Sequence, residues 1–264
     1  MYIFGGRKSP DHPKLNDLYV INLEKMKIKK IPADSSFPSP RSDHCGAVIG
    51  HLFYIFGGSD IEINPLNDLH CYDTITKKWT QITPIPISVQ TKCYFMAEKV
   101  WDTIVTTGAP AARSALRMAA VRNTLYTFGG GIRSKCVTCS AKCNEIHAFD
   151  TEKLTWRRVD YKGPQIQISS FACFIPFGDF IFIGLGSKVT GDRISSNSYV
   201  FDTITEEVIE ITNLEGSPQA RDGVGGVQIA DKIYIFGSQI VREISTLNIK
   251  LFQQARNILQ PSLT

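Results

Sequence analysis

The stretch FYIFGG, Phe53–Gly58, decides the fold. Its aromatic and β-branched run reads as a strand. Two glycines close it, as a turn with φ > 0 or a close backbone approach requires. The phrase returns as MYIFGG at Met1–Gly6, LYTFGG at Leu125–Gly130 and IYIFG at Ile233–Gly237. With FIFIG at Phe180–Gly184 as a further copy, the marker glycines are Gly5, Gly57, Gly129, Gly184 and Gly237. Three of the four gaps are close to 53 residues, and the gap from Gly57 to Gly129 is 72.

Other landmarks keep the same period. An arginine stands 13 residues before the tyrosine in Arg41/Tyr54, Arg113/Tyr126 and Arg221/Tyr234. A second strand follows the glycines: NDLYVIN (Asn16–Asn22), NDLHCYD (Asn67–Asp73), NEIHAFD (Asn144–Asp150) and NSYVFD (Asn197–Asp202). Turns of the type DTITKKW (Asp73–Trp79), DTEKLTW (Asp150–Trp156) and DTITEEV (Asp202–Val208) come next. The best unit divides into strand A near His44–Gly50, B at Leu52–Phe56, C at Leu69–Asp73 and D at Lys78–Ile82. Helical periodicity is nearly absent before the last dozen residues. Four short strands repeated about every 50 residues predict an all-β fold, a β-propeller of four-stranded blades.

The Tyr-Ile-Phe-Gly-Gly core, the preceding Pro40-Arg41, the Asp-Leu-x-x-Tyr-Asp strand and the spaced Trp79 and Trp156 resemble kelch repeats. The resemblance covers the chain to about Phe252 and implies a kelch-type β-propeller. About five to six repeats are expected, some truncated: units at about 1–34, 41–84, 92–108 (degenerate), 113–160, 168–213 and 221–252, with a tail at 253–264. The first unit has strands B, C and D without an A, and the last has A, B and C without a clear D. The 92–108 unit has an A-like KCYFMAE (Lys92–Glu98) and a D-like stretch from Val100, with B and C missing. The reading is a six-bladed propeller that lost a piece at its start and another near Glu98. An unclosed propeller would expose sheet edges and apolar faces.

Composition narrows the function. The formal charge of +4 is modest and the basic residues look scattered along the sequence, so no nucleic-acid stripe is expected. An odd count of seven cysteines, no glycosylation sequon and no signal segment predict a cytoplasmic protein, with the nucleus as the alternative. The most apolar stretch, Phe171–Gly186, is broken by Pro176, Gly178 and Asp179. It reads as two buried strands and not as a membrane span. The Gly-rich stretches lack the Gly-Lys-Ser/Thr order and helix of a phosphate loop, and no cofactor is expected.

Candidate sites fall in three groups. Arg41, Arg113 and Arg221 open strand A of their units, where inner-strand ends surround a channel mouth. They read either as a basic rim or as structural arginines paired within the blades. Arginines and serines near this place in kelch substrate receptors resemble a clamp for acidic groups or a carboxylate, using bidentate geometry. Ser42, Asp43, His44, Ser114, Arg117 and Asp222 vary between units and are the specificity candidates. The second group is Cys136, Cys139, Cys143 and His147, a Cys-x2-Cys-x3-Cys-x3-His order that supplies four zinc ligands. His147 also aligns with His70, Tyr19 and Tyr199, which gives it to the strand pattern instead. The third is Glu98 and Asp102, at the spacing of the Glu-x3-Asp-x3-His iron site of plant specifier proteins, where the next position here is Thr106. No Cys/His or Ser/His catalytic pairing stands out. The expectation is a non-catalytic adaptor that binds a protein or peptide partner at the loop face. A substrate receptor working with ubiquitin-ligase subunits is its specific version, and a metal-dependent propeller enzyme is the competing class. Leu251, Ala255 and Leu259 could present a short docking helix to such subunits.

Overall fold

The computed structural model describes residues 1–9, 12–82, 109–132, 141–189, 194–211, 224–237 and 245–248. Among them there is no helix. Five antiparallel sheets form the blades. Blade I holds β1 (Tyr2–Arg7), β2 (Lys14–Asn22) and β3 (Lys27–Ile31). Blade II holds β4 (Cys45–Ile49), β5 (Leu52–Phe56), β6 (Leu69–Asp73) and β7 (Lys78–Ile82). Blade III holds β8 (Arg117–Val121), β9 (Thr124–Phe128), β12 (Ile146–Asp150) and β13 (Thr155–Arg158), with a two-residue ribbon of β10 (Gly131–Ile132) and β11 (Ala141–Lys142) in its B–C connection. Blade IV holds β15 (Cys173–Phe177), β16 (Phe180–Gly184), β18 (Ser198–Asp202) and β19 (Glu207–Ile211). Beside it β14 (Ile168–Ser170) pairs with β17 (Ser187–Lys188). Blade V holds β20 (Val224–Ile229), β21 (Lys232–Gly237) and β22 (Ser245–Asn248).

The middle strands of blades II to IV are apolar on both faces because each of these blades is packed on both sides. On β5, Phe53 and Ile55 face blade I, while Tyr54 and Phe56 face blade III. Period two puts consecutive residues on opposite faces, so a strand between two neighbours needs an unbroken apolar run. Each seam has its own core, and from blades II and III a strand-D tryptophan reaches back across it. Trp79 meets Phe4 of blade I at 5.2 Å, and Trp156 meets Phe56 of blade II at 5.1 Å. In blade IV, Val208 takes the tryptophan's place within the core shared with blade III. The inner strands β4, β8, β15 and β20 lie side by side in that order. Blade II therefore packs directly on blade III, and residues 92–108 lie outside the described residues. The tail at 253–264 also lies outside them.

The C–D turns repeat to the atom. Oδ1 of Asp73, Asp150 and Asp202 each accepts two main-chain amides two and three residues on. The turn then ends on a left-handed residue, Lys77, Leu154 or Glu206. Thr74, Thr151 and Thr203 donate their hydroxyls to the A–B hairpins at His51, Asn123 and Asp179.

Pairing corrects one landmark. Gly184 faces Ser198 across the sheet as Phe56 faces Leu69, so Gly184 belongs to strand B and is not the marker glycine. The left-handed pair of blade IV is Leu185–Gly186, with φ of 59° and 89°, matching Gly57–Gly58 at 63° and 93°. A leucine therefore occupies a position held by glycine in blades I to III.

Candidate functional site: the loop face around the inner strands

The connections that enter the inner strands carry the site. Each docks on the glycine pair of the preceding blade: Gly6 N–H donates to the Arg41 carbonyl (2.8 Å), Gly58 to Arg113 (3.2 Å) and Gly130 to Ser169 (2.8 Å). A Cβ on Gly129 would lie 1.7 Å from the Ser169 carbonyl oxygen, so this approach demands glycine. The same series makes Ser169 the blade IV counterpart of Arg41 and Arg113.

Arg41 is fully buried. Its Nη1 and Nη2 donate to Asp68 Oδ1 and Oδ2 at 2.6 and 2.7 Å. Nη1 also reaches the Gly57 carbonyl (3.2 Å), Nη2 the Ser39 hydroxyl (3.0 Å) and Nε the Ser39 carbonyl (3.2 Å). Burial pushes the Asp68 carboxyl up, but its bonds to Arg41 and to His70 Nε2 (2.7 Å) outweigh that and hold it well below the usual carboxylate range. Arg113 repeats the arrangement at 3 % exposure, with Ala111, Gly129 and Glu145 as acceptors. Neither guanidinium faces solvent, and each is paired with an acid of its own blade. Arg221 and Asp222 lie outside the described residues. The arginine, the acid and the first left-handed glycine form a lock in blades II and III, and in blade IV all three members change together. Ser169 replaces the arginine, Leu185 the glycine and Asn197 the acid, which follows because a buried anion without its cation is costly.

Two residues past each lock the backbone turns left-handed at a non-glycine residue: Asp43 (58°), Ala115 (58°) and Phe171 (56°). These residues are joined through main-chain bonds, Ala115 N–H to the Asp43 carbonyl (3.1 Å) and Phe171 N–H to the Ala115 carbonyl (3.3 Å). One backbone geometry thus presents an exposed carboxylate, a buried methyl and a phenyl ring 39 % exposed. Ser42 is buried, donates to Asp43 Oδ2 (2.9 Å) and bridges Ser59, whereas Ser114 is half-buried beside Gly131.

Arg117, first on β8, reaches inward. Its Nε donates to the Ala172 carbonyl at 2.9 Å, Nη1 to Leu116 at 3.4 Å and Nη2 to Val224 of blade V at 3.4 Å. All three acceptors are neutral main chain. Burial therefore pushes its pKa down, opposed by Cys45, Cys173 and Asp43. His44 is half-buried in the seam with blade I, edge-on to Phe4 at 5.6 Å. Burial and Arg41 push its imidazole down to about 4.

The cysteine set divides. Cys136 and Cys139 lie outside the described residues. Cys143 is half-buried, its thiol pushed up by burial. His147 is buried at the His70 position of its blade, pairing across to Thr127 as His70 pairs to Ile55. No cluster of three metal-ligating side chains occurs among the described residues. Glu98, Asp102 and Thr106 lie outside them too. A cleft of ≈ 160 Å³ between Asn144, Glu145, Arg158 and Tyr161 holds charges already paired, Arg158 with Glu145 at 3.2 Å.

Sequence reasoning missed Asp43, Ala115 and Phe171 as a set, although their constant offset of two from Arg41, Arg113 and Ser169 was a usable signal.

A family profile described as the KLHDC2/KLHL20/DRC7 Kelch-repeats domain matches residues 1–238. The chain is 24 % identical over 257 residues to the N-(sulfonatooxy)prop-2-enimidothioate sulfolyase of Thlaspi arvense, covering 92 % of this chain and 68 % of that protein. It is 24 % identical over 260 residues to Kelch domain-containing protein 3 of Homo sapiens, covering 92 % and 62 %. Acyl-CoA-binding domain-containing protein 5 of Arabidopsis thaliana is 35 % identical over 83 residues, 31 % of this chain and 13 % of that one. The chain thus spans about two thirds of the length of the first two relatives.

Proposed function

The chain belongs to the kelch-repeat family, and on that premise we propose that it is a non-catalytic protein-interaction module. Its loop face takes a partner protein or peptide around Asp43 and Phe171, with Ala115 buried at the equivalent position of blade III. The observation that carries the reading is the constant backbone of these three positions beneath three different side chains. Main-chain bonds hold the geometry, so the side chains are free to be chosen for a ligand. Arg117 adds a cation with neutral acceptors only, which favours a carboxylate-bearing partner group. Phe171 offers an aromatic surface of the kind that anchors interfaces.

The test is affinity capture with the full chain and with a Phe171→Gly, Asp43→Ala variant, followed by mass spectrometry. Glycine suits the left-handed φ at Phe171, and Ala115 already holds alanine at the φ of Asp43, so the variant keeps the fold. Proteins held by the native chain and lost by the variant support the loop-face reading, and an identical set for both overturns it. Cullin-type subunits within the lost set would assign the ubiquitin-ligase version.

The sulfolyase relative favours a second reading, an enzyme, and the Glu98, Asp102 spacing makes its expected form metal-dependent. Thr106 at the third position of the Glu98, Asp102 spacing counts against it, because a hydroxyl is a poor substitute for an imidazole ligand. Stoichiometric iron in the purified full chain by native mass spectrometry would reinstate it.

A further inference from the structure

The outermost strand of blade I differs from those of its sisters. Residues 1–31 carry seven Lys and Arg against three Asp and Glu, an excess of +4, equal to the formal charge of the whole chain. Four of these cations, Lys25, Lys27, Lys29 and Lys30, sit on or beside β3, and residues 22–30 are all exposed. Lys30 pairs with Asp17 at 2.8 Å. Lys25, Lys27 and Lys29 make no ion pair among the described residues. On the matching strand of blade III, Arg157 and Arg158 are both neutralised, by Glu206 and by Glu145. On blade IV the strand is acidic, and Lys162 covers part of its edge through main-chain bonds to Glu206 and Val208.

The edge of β3 is open. Met1 and Ile21 exchange both main-chain bonds, so Ile21 and Tyr19 of β2 point their amides at β1. By antiparallel alternation, Leu18, Val20 and Asn22 serve β3, bonding Ile31, Lys29 and Lys27. That leaves the N–H and C=O of Ile28 and Lys30 aimed outward, with no strand beyond them among the described residues. The Ile28 side chain is 66 % exposed. Lysines on an edge strand usually deter pairing. An acidic strand removes that deterrent and turns it into selectivity.

The geometry points to β3 as a docking edge for an extended peptide segment of a partner protein, alternating acidic and apolar residues. The segment adds as a further strand, bonds the free groups of Ile28 and Lys30, sets carboxylates beside Lys27 and Lys29 on one face, and lays an apolar side chain against Ile28 on the other. The open backbone favours such a segment over an anionic membrane, which would use the charge and leave the edge unpaired. This surface is separate from the loop face.

The test is fluorescence anisotropy with the full chain and a labelled peptide of alternating Glu and Val, about ten residues long. Binding should fall about tenfold or more in Lys27→Glu, Lys29→Glu protein and weaken as salt rises from about 50 to about 200 mM. Backbone N-methylation of the peptide, which leaves charge and protein untouched, should abolish binding. A Lys and Val peptide should bind the charge-reversed protein and not the native one. Three results overturn the proposal: equal affinity for native and reversed protein, full affinity of the N-methylated peptide, or binding of phosphatidylserine vesicles with no binding of the peptide.

Discussion

Replacing Arg41 by methionine keeps most of the apolar volume and removes every hydrogen bond of the guanidinium. Arg41 has no exposure, and Asp68, its bidentate partner, is 20 % exposed. The bonds at 2.6 and 2.7 Å are lost together with those to Ser39 and Gly57. Breaking one side of a buried pair costs about 3–5 kcal/mol. His70 still donates to Asp68, which places the expected loss near the lower end, about 3 kcal/mol. Asp68→Asn should cost a similar amount, because it leaves Arg41 buried against a neutral group. The double variant should lose less than the sum, with a coupling of about 2 kcal/mol. Urea unfolding read by Trp79 and Trp156 fluorescence measures all four corners. The pH dependence is a second check. Asp68 has a depressed pKa, so its contribution is present above the ordinary carboxylate range and is lost as pH falls through its folded value. The gap between native and Arg41→Met protein should therefore narrow on acidification. A coupling below about 0.5 kcal/mol, within the error of additive sites, would refute the lock, and so would a gap independent of pH.

Other expectations are as direct. His44 and His147 are both pushed down to about 4, mainly by burial, so the unfolded chain binds more protons between that value and the ordinary 6.5. Stability should be full above about 6.5 and fall on acidification toward 4, by at most about 3 kcal/mol per ring. Urea midpoints across that range, with a flatter profile in His147→Phe, check it. Trp156→Ala should cost about 3–5 kcal/mol by opening the seam between blades II and III, read as a lower urea midpoint. Leu185→Gly relieves a left-handed leucine by about 1 kcal/mol but deletes a fully buried side chain worth about 3 kcal/mol. A net loss near 2 kcal/mol follows, and a gain in stability would show that strain outweighs packing there.

The strands were legible because each carries its own signal. The B and C strands of blade II run from Leu52 to Phe56 and from Leu69 to Asp73, as the aromatic runs and the Asp-Thr turn indicated. The hairpin of Cys173–Phe177 and Phe180–Gly184 was legible from its central glycine and aspartate. Gly184 misled because glycine is the usual sign of a left-handed turn, and nothing in the residue type marks Leu185 as adopting one. The lock was hidden by variable loop length. Arg41 is 27 residues from its acid and Arg113 is 32 from its own, so no fixed spacing joins them. Arginines in register were visible, but whether they face solvent depends on Asp68 and Glu145, which arrive from another connection. The docking edge on β3 escaped notice because averaging charge over the whole chain dilutes an excess confined to one blade.

The separate core at each seam has a further consequence. Apart from the Arg117–Val224 bond, each apolar core joins nearest-neighbour blades only, so stability is shared out along a line, as in other repeat folds. Blades II, III and IV each hold two seams, while among the described residues blade I holds one, through Phe4 and Leu18. Among the described residues, opening blade I breaks a single core and leaves the other three standing. Amide hydrogens of β1 to β3 should thus exchange through this cheap opening, well ahead of β9 and β16, whose release requires breaking two cores at once.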